Sequence, residues 1–176
     1  MKTVFLALLA TSVIAGPALA QGRAGDPTGE WRVADGKARI RVVDCGQALW
    51  GVVSWEAKTG RDTHNPQPAL RTRPTLGMPI LLHMQPTDQP DHWEGQIYNA
   101  DDGNTYDGSI TLANADTLRV EGCALGFLCG SDTWRRAPQS PRVAGHERGT
   151  TGAGTPATAP AAAICSAVAR GARGAH

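Results

Sequence analysis

The chain has 176 residues, of which 41% are hydrophobic and 19% are charged, and its formal net charge is +1. This length accommodates one ordinary domain and leaves too little for a second large core. Residues 21–136 carry fifteen acidic and twelve basic side chains without a basic cluster, which argues against nucleic-acid binding. Outside the first twenty residues, no apolar run approaches the roughly 18 residues that a membrane-spanning helix needs.

Residues 1–20 have the organisation of a cleavable signal peptide. Lys2 precedes an apolar stretch over 4–15, and a small-x-small cleavage motif ends at Ala20. Cleavage there places Gln21 first, where a lipoprotein would carry cysteine. We therefore predict a periplasmic or secreted protein without a membrane anchor.

The mature chain contains four cysteines, in a compartment where disulfides persist. Cys123 and Cys129 flank a predicted turn at mirrored positions of two strands, and we predict a disulfide between them. Cys45 and Cys165 have no evident partner. The cysteines and the five histidines are too scattered for a metal site, so we predict neither a metal nor a cofactor.

Short runs rich in β-forming residues alternate with turns from residue 29 to residue 136. The predicted strands cover residues 29–33, 38–43, 48–55, 79–84, 93–99, 105–112, 117–122 and 127–135. Asp-Gly and other Asx-rich turns between several of them are typical of hairpins. We predict an all-β fold over residues 21–136, an antiparallel up-and-down barrel of about eight strands. A barrel of that size is filled by side chains or holds one small ligand.

Residues 137–176 differ in composition from the rest of the chain. Ala, Gly, Pro, Thr and Ser supply 28 of these 40 residues, and no aromatic residue is present. Such a segment buries too little apolar surface to offset its chain entropy. We predict a disordered C-terminal tail, with a weak, transient helix over 159–169 and Cys165 open to adventitious pairing.

The two ends of the predicted barrel carry tryptophan and arginine. Gly29-Glu30-Trp31 begins the first strand, and Trp134-Arg135-Arg136 ends the last. This arrangement resembles that of the lipocalins and wider calycins, where a Gly-x-Trp tryptophan packs across the closed barrel end beneath an arginine. A guanidinium over an indole contributes roughly 0.5–2 kcal/mol. The resemblance implies structural roles for Trp31, for Trp134 and for Arg135, or Arg136 in its place.

The connection over residues 57–91 is long for a compact domain and rich in proline. One interpretation is a loop over the barrel mouth whose arginines meet an anionic ligand group. The other is that these arginines pair with Asp62, Asp102 or Asp107 and fasten the loop down. The candidate ligand-binding residues, from this loop and from aromatic positions on the strands, are Asp62, Asn65, Arg71, Arg73, Trp50, Trp55, Tyr98 and Tyr106.

Several motifs occur in a fixed order over about residues 28–136. They include Asn65-Pro66-x-Pro68-x-Leu70-Arg71-x-Arg73-Pro74, Trp93-x-Gly95-x-Ile97-Tyr98-Asn99 and Asp102-Gly103-x-Thr105-Tyr106. With them the chain resembles a family of small exported bacterial proteins known as domain of unknown function 2147. The resemblance implies a calycin-like β-barrel in the cell envelope and no established activity. In that family a second cysteine often stands at the position of Trp50, close enough to pair with Cys45, and this chain lacks it.

No nucleophile motif is present, and no catalytic residue is predicted. Asp62 and His64, two residues apart in a loop, are typical of an ordinary polar surface. We predict a non-enzymatic, monomeric exported barrel that binds a small apolar or anionic ligand. The alternative is a structural or interaction protein of the envelope with a filled core. A further alternative is a hydrolase or isomerase that uses the carboxylates around Asp102 and Asp107.

Overall fold

The computed structural model describes residues 25–138 and 159–173, so the predicted signal peptide lies outside the described residues. It contains eight strands and one α-helix. These are β1 Gly29–Arg32, β2 Ala38–Asp44, β3 Leu49–Glu56, β4 Pro79–Pro86, β5 His92–Asn99, β6 Asn104–Asn114, β7 Thr117–Ala124, β8 Leu128–Arg136 and α1 Ala161–Arg173. Each predicted strand is present within two residues of its expected ends, and the all-β prediction is confirmed.

Each strand pairs antiparallel with the next one along the chain, and β1 also pairs with β8. The sheet is therefore closed, and the predicted up-and-down barrel is confirmed. The closing contact is short, because β8 pairs with β1 only through Arg135 and Arg136. The connections 33–37, 57–78, 100–103 and 125–127 lie at one end, here called the mouth end. Those over 45–48, 87–91 and 115–116 lie at the other end, here called the base.

The barrel interior is packed with large apolar side chains. Its buried members are Trp31, Ile40, Val42, Leu49, Val53, Leu81, Met84, Trp93, Ile110, Leu112, Leu118, Val120 and Trp134. They come from all eight strands because alternate residues of each strand face inward. An eight-stranded barrel is just wide enough for side chains of this size to fill it. The described interior therefore fits the filled-core alternative more closely than a central ligand cavity.

The base is closed by Trp31 and Arg136. The guanidinium carbon of Arg136 lies 4.2 Å from the centre of a Trp31 ring, and the indole nitrogen donates to the carbonyl of Pro27. Of the two arginines that the sequence left open for this role, Arg136 and not Arg135 covers the indole. Trp31 is directly opposite Arg136 in the β1–β8 pairing, so these two residues share a face. Arg135 instead donates to the Thr117 hydroxyl.

The prediction of a disordered tail is wrong for Ala161–Arg173, which form α1 where only a weak, transient helix was expected. Residues 139–158 and 174–176 of the predicted tail lie outside the described residues. One covalent bond and one hydrogen bond tie the helical segment to the barrel. Cys165 is bonded to Cys45, and Arg41 donates to the carbonyl of Ala159, just before the helix. These contacts help to offset the conformational entropy that the segment loses when it becomes ordered. Among the described helices, none is long and apolar enough to cross a membrane.

The helix covers the outer face of β2 and β3. Ile164 and Val168, four residues apart on one side of α1, pack against Val43 and Val52 in a second apolar cluster. This packing explains why β3 is apolar on both faces: one face lies in the barrel core and the other lies beneath α1.

Candidate functional site

A buried polar cluster, here called the Asp62 cluster, fastens the long loop to the outer face of β5. The Tyr98 hydroxyl donates to Asp62 Oδ1 at 2.5 Å, and Asn65 Nδ2 donates to Asp62 Oδ2 at 2.7 Å. Arg73 Nε donates to the same Oδ2 at 2.8 Å. Asp62 itself is fully buried, so its charge depends on these three donors.

The protonation states of the cluster follow from this geometry. Burial acts to raise the pKa of the Asp62 carboxyl, but the hydrogen bonds from Tyr98, Asn65 and Arg73 outweigh it and hold that pKa below its ordinary value. Burial raises the pKa of the Tyr98 phenol, and the Asp62 carboxylate raises it further. Asp62 is therefore a carboxylate whose two oxygens accept from Tyr98, Asn65 and Arg73, an arrangement that argues against an acid–base pair with His64.

The structure supports the fastening interpretation of the loop. Arg73 forms an ion pair with Asp62, with Nη2 to Oδ2 at 2.7 Å, and its guanidinium lies over the Tyr98 ring at 5.7 Å. Arg71 donates to the main-chain carbonyl of Asn65 at 2.8 Å. Farther along the loop, Leu76 packs against the barrel interior. The loop thus reaches the core at the mouth end and also lies along the outer wall.

Beside the Asp62 cluster, an open cleft of about 830 Å³ lies on the outside of the barrel. We call it the outer groove. It has three walls: the outer face of β3–β5, the loop around residues 65–73, and α1. The side chains of its walls include Trp50, Val52, Leu82, His83 and Gln96 from the strands, Asn65, Pro66, Gln67, Leu70 and Arg73 from the loop, and Ala163, Ile164, Ala167 and Val168 from the helix.

His83 reaches the groove through an irregularity in β4. The β4–β5 pairing shifts register between Leu82 and Gln85, and His83 has a left-handed φ of 52°. A non-glycine residue in that region costs of order 1–3 kcal/mol, and such residues concentrate at functional sites. Gly95 on β5 makes room, since a Cβ there would lie 2.8 Å from the His83 carbonyl oxygen. The imidazole lies edge-on to Trp50, with ring centres 6.1 Å apart.

The structure brings some predicted ligand-binding residues together and separates others. Asp62, Asn65, Arg73 and Tyr98 form the Asp62 cluster, and Trp50 lines the outer groove. Two predicted residues lie elsewhere. A shift in the β2–β3 register places Trp55 opposite Arg39, off the core, where it is 44% exposed beneath that guanidinium. Tyr106 donates to Asp102 within the β5–β6 hairpin.

The sequence did not point to His83, Gln96 or the helical wall as parts of a site, although it predicted a weak helix over 159–169. One signal was available for the helix. Ile164 and Val168 are spaced four apart in an alanine-rich segment, with an unpaired Cys165 between them. For His83 there was none, because a register shift inside a strand leaves no pattern in a single sequence.

The predicted Cys123–Cys129 disulfide is present in the β7–β8 hairpin. Together with Glu121, these cysteines form the group of described side chains that comes within metal-binding distance. Both sulfurs are engaged in the disulfide, so they offer no thiolate to a metal ion.

The closed antiparallel barrel of eight strands, with the Trp31–Arg136 pair at its base, defines a lipocalin-like fold. The chain belongs to the bacterial family described as "Uncharacterized protein conserved in bacteria (DUF2147)", whose model matches residues 29–136. Its fold is similar to that of protein HP1028 from the human pathogen Helicobacter pylori, described as belonging to the lipocalin family. That match has a TM-score of 0.57 at 20% identity and covers 65% of this chain and 85% of that one. No curated protein matches the chain.

Proposed function

We propose that this protein is a non-enzymatic binding protein that holds a small, largely apolar ligand in the outer groove. The observation that carries the proposal is the groove itself, whose volume of about 830 Å³ lies in the range of small-molecule sites. The barrel interior is filled by Trp31, Trp93 and Trp134 with their neighbours, so the proposed site lies outside the barrel.

The groove walls indicate the chemistry of the ligand. Val52, Leu82 and Ile164 offer an apolar surface, and Trp50 offers an indole against which a flat or aliphatic body can pack. Gln96 supplies donors, and so does the one guanidinium nitrogen of Arg73, Nη1, that does not contact Asp62. None of the described lining residues is Asp or Glu, so an anionic or carbonyl-bearing group meets no opposing carboxylate at the surface of the groove. An apolar body with one acceptor group fits these walls best.

The filled interior also favours a second candidate function, a structural or interaction protein of the cell envelope. In that case the groove holds no ligand, and the Asp62 cluster serves only to fasten the loop. The two functions differ in whether the groove binds a small molecule when the barrel is intact.

An exported location is compatible with either function. The two disulfides and the bacterial family are consistent with an oxidising compartment. We propose a periplasmic or secreted location after cleavage behind Ala20. Mass spectrometry of the exported chain tests this, with Gln21 as the expected first residue.

Native mass spectrometry and a fluorescent probe test the binding function. Protein exported by a bacterial host should carry an additional mass that is lost on denaturation. The dye 1-anilinonaphthalene-8-sulfonate combines an apolar body with an anionic group and should bind in the groove. Ala167→Phe fills the helical wall and should weaken dye binding about tenfold or more. Ala169→Phe, on the same helix but outside the lining set, is the control.

Equal dye binding by the two variants, with unchanged melting temperatures, would place the dye elsewhere and overturn the proposed site. A bare mass together with no dye binding would favour the structural function.

A further inference from the structure

The large apolar side chains exposed in the described part of the chain gather at the mouth end. Leu125, Phe127 and Leu128 form the tip of the β7–β8 hairpin and are 81%, 73% and 61% exposed. Trp55, near the end of β3, is 44% exposed at the same end. The three side chains at the tip are contiguous, and contiguous exposed apolar side chains mark interaction surfaces, whereas Trp55 lies three strands away round the barrel.

The hairpin tip is held rigid by a disulfide and by strand pairing. The Cys123–Cys129 disulfide joins its two strands directly beneath the turn, and the pairing continues to Ala124 and Leu128. A tip that is already rigid loses little conformational entropy when it is buried. The ten residues 122–131 contain no charged side chain, so the tip can enter an apolar medium without burying a charge.

Charge is distributed unevenly between the two ends of the barrel. The mouth-end segments 32–39, 55–79, 99–104 and 124–128 carry seven basic and five acidic residues. The base segments 25–29, 44–49, 86–92, 114–117 and 135–138 carry five acidic and two basic residues. The mouth-end segments therefore have a net charge of +2 and the base segments one of −3, so a negatively charged surface attracts the mouth end, with its apolar tip, more than the base.

From these observations we infer that the mouth end binds the surface of a lipid bilayer that contains anionic headgroups. Leu125 and Phe127 insert among the acyl chains close to the interface, to the shallow depth typical of peripheral apolar anchors. Trp55 lies at headgroup level, where indoles concentrate. Basic side chains of the same end, such as Lys58 and Arg61, contact lipid phosphates. Binding is peripheral and reversible, because it depends on few side chains.

Flotation with lipid vesicles tests this inference on the full exported chain. Vesicles of phosphatidylcholine alone are compared with vesicles of phosphatidylcholine and phosphatidylglycerol in equal parts. The wild type should float with the mixed vesicles and only weakly with phosphatidylcholine. Phe127→Ser should lower the partition coefficient at least about tenfold, whereas Phe127→Leu should retain most of it. Because Phe127 is exposed, unchanged melting temperatures are expected for both variants.

A matched pair of charge reversals tests the orientation. Lys58→Glu, at the mouth end, should weaken binding to the mixed vesicles about fivefold or more. Arg119→Glu makes the same charge change on an exposed position of β7 away from that end and should have a smaller effect. Brominated lipid should quench the fluorescence of the wild type, and Trp55→Phe should reduce that quenching.

Three results would overturn the inference. The first is a wild type that floats with neither vesicle, as expected if the tip docks on a protein instead. The second is a Phe127→Ser variant that floats like the wild type, which would make the attraction purely electrostatic. The third is an equal loss of vesicle binding in Lys58→Glu and Arg119→Glu, which would show that the mouth end does not face the bilayer. None of these results depends on whether the outer groove holds a ligand.

Discussion

Cys45, in the turn after β2, is bonded to Cys165 in the second turn of α1, so one covalent link holds the helical wall of the outer groove against the barrel. The link joins residues 120 positions apart and encloses most of the barrel sequence. The barrel and the groove therefore depend on this bond in different ways: the strands pair without it, whereas the helix has few other contacts.

Replacing Cys45 and Cys165 together by serine should release α1 while the barrel persists. Hydrogen exchange should show loss of protection over Ala161–Arg173, and binding of the anilinonaphthalene dye should fall with it. The global cost is at most about 4–5 kcal/mol, because the bridge closes a long loop in the unfolded chain. Serine at Cys123 and Cys129, which close a short loop, is the control and should leave α1 protected. Retained protection in the first variant would show that packing alone holds the helix.

Asp62→Asn should destabilise the fold by about 2–4 kcal/mol, as measured by urea unfolding. The substitution keeps the shape of the side chain but removes the charge that Arg73 and Tyr98 engage. Asp107→Asn makes the same change at an exposed position of β6 and should be nearly neutral. Similar losses for the two variants would mean that the Asp62 cluster contributes nothing specific.

The pH dependence of stability should carry the signature of the same cluster. The folded-state pKa of Asp62 lies below its ordinary value of 3.8, so its contribution is complete above that pH and is lost as the pH falls through the folded pKa. The stability difference between wild type and Asp62→Asn should therefore shrink in strong acid. The pKa of Tyr98 is raised above 10.0, so its contribution is complete below that pH and is lost in strong alkali. Thermal unfolding across the pH range checks both limits.

Gly103→Ala should displace the long loop. Gly103 has a φ of 74°, and a Cβ at this position would lie 1.9 Å from the main-chain oxygen of His64. Both the strain and the clash involve backbone, so the loop must move away from the β5–β6 hairpin. We expect a loss of about 2–4 kcal/mol in urea unfolding and faster proteolysis of residues 57–78. Gly126 also has a positive φ, but a Cβ there would meet open space. The difference in stability between Gly103→Ala and Gly126→Ala therefore isolates the contact with the main chain of His64.

The sequence predicted the parts of the molecule that follow from local patterns. Alternation and turn residues gave eight strands, and mirrored positions around a turn gave the Cys123–Cys129 bridge. The contacts that build the groove are not local. Cys45 and Cys165 meet across 120 positions, and the composition around Cys165 indicates disorder until its partner is known. The register shift at His83 depends on Gly95 of another strand, which no single-strand pattern reveals.

The last prediction separates Arg136 from Arg135 at the base of the barrel. Besides covering Trp31, Arg136 donates to the main-chain carbonyls of Ala115, Thr28 and Asp26, which joins three segments. Arg136→Ala should therefore cost about 2–3 kcal/mol in urea unfolding and should expose the indole to acrylamide quenching. Arg135→Ala removes a side chain that bonds to the Thr117 hydroxyl and should cost less than about 1 kcal/mol. The opposite order of the two losses would assign the role at the indole to Arg135, the other of the two arginines that the sequence left open.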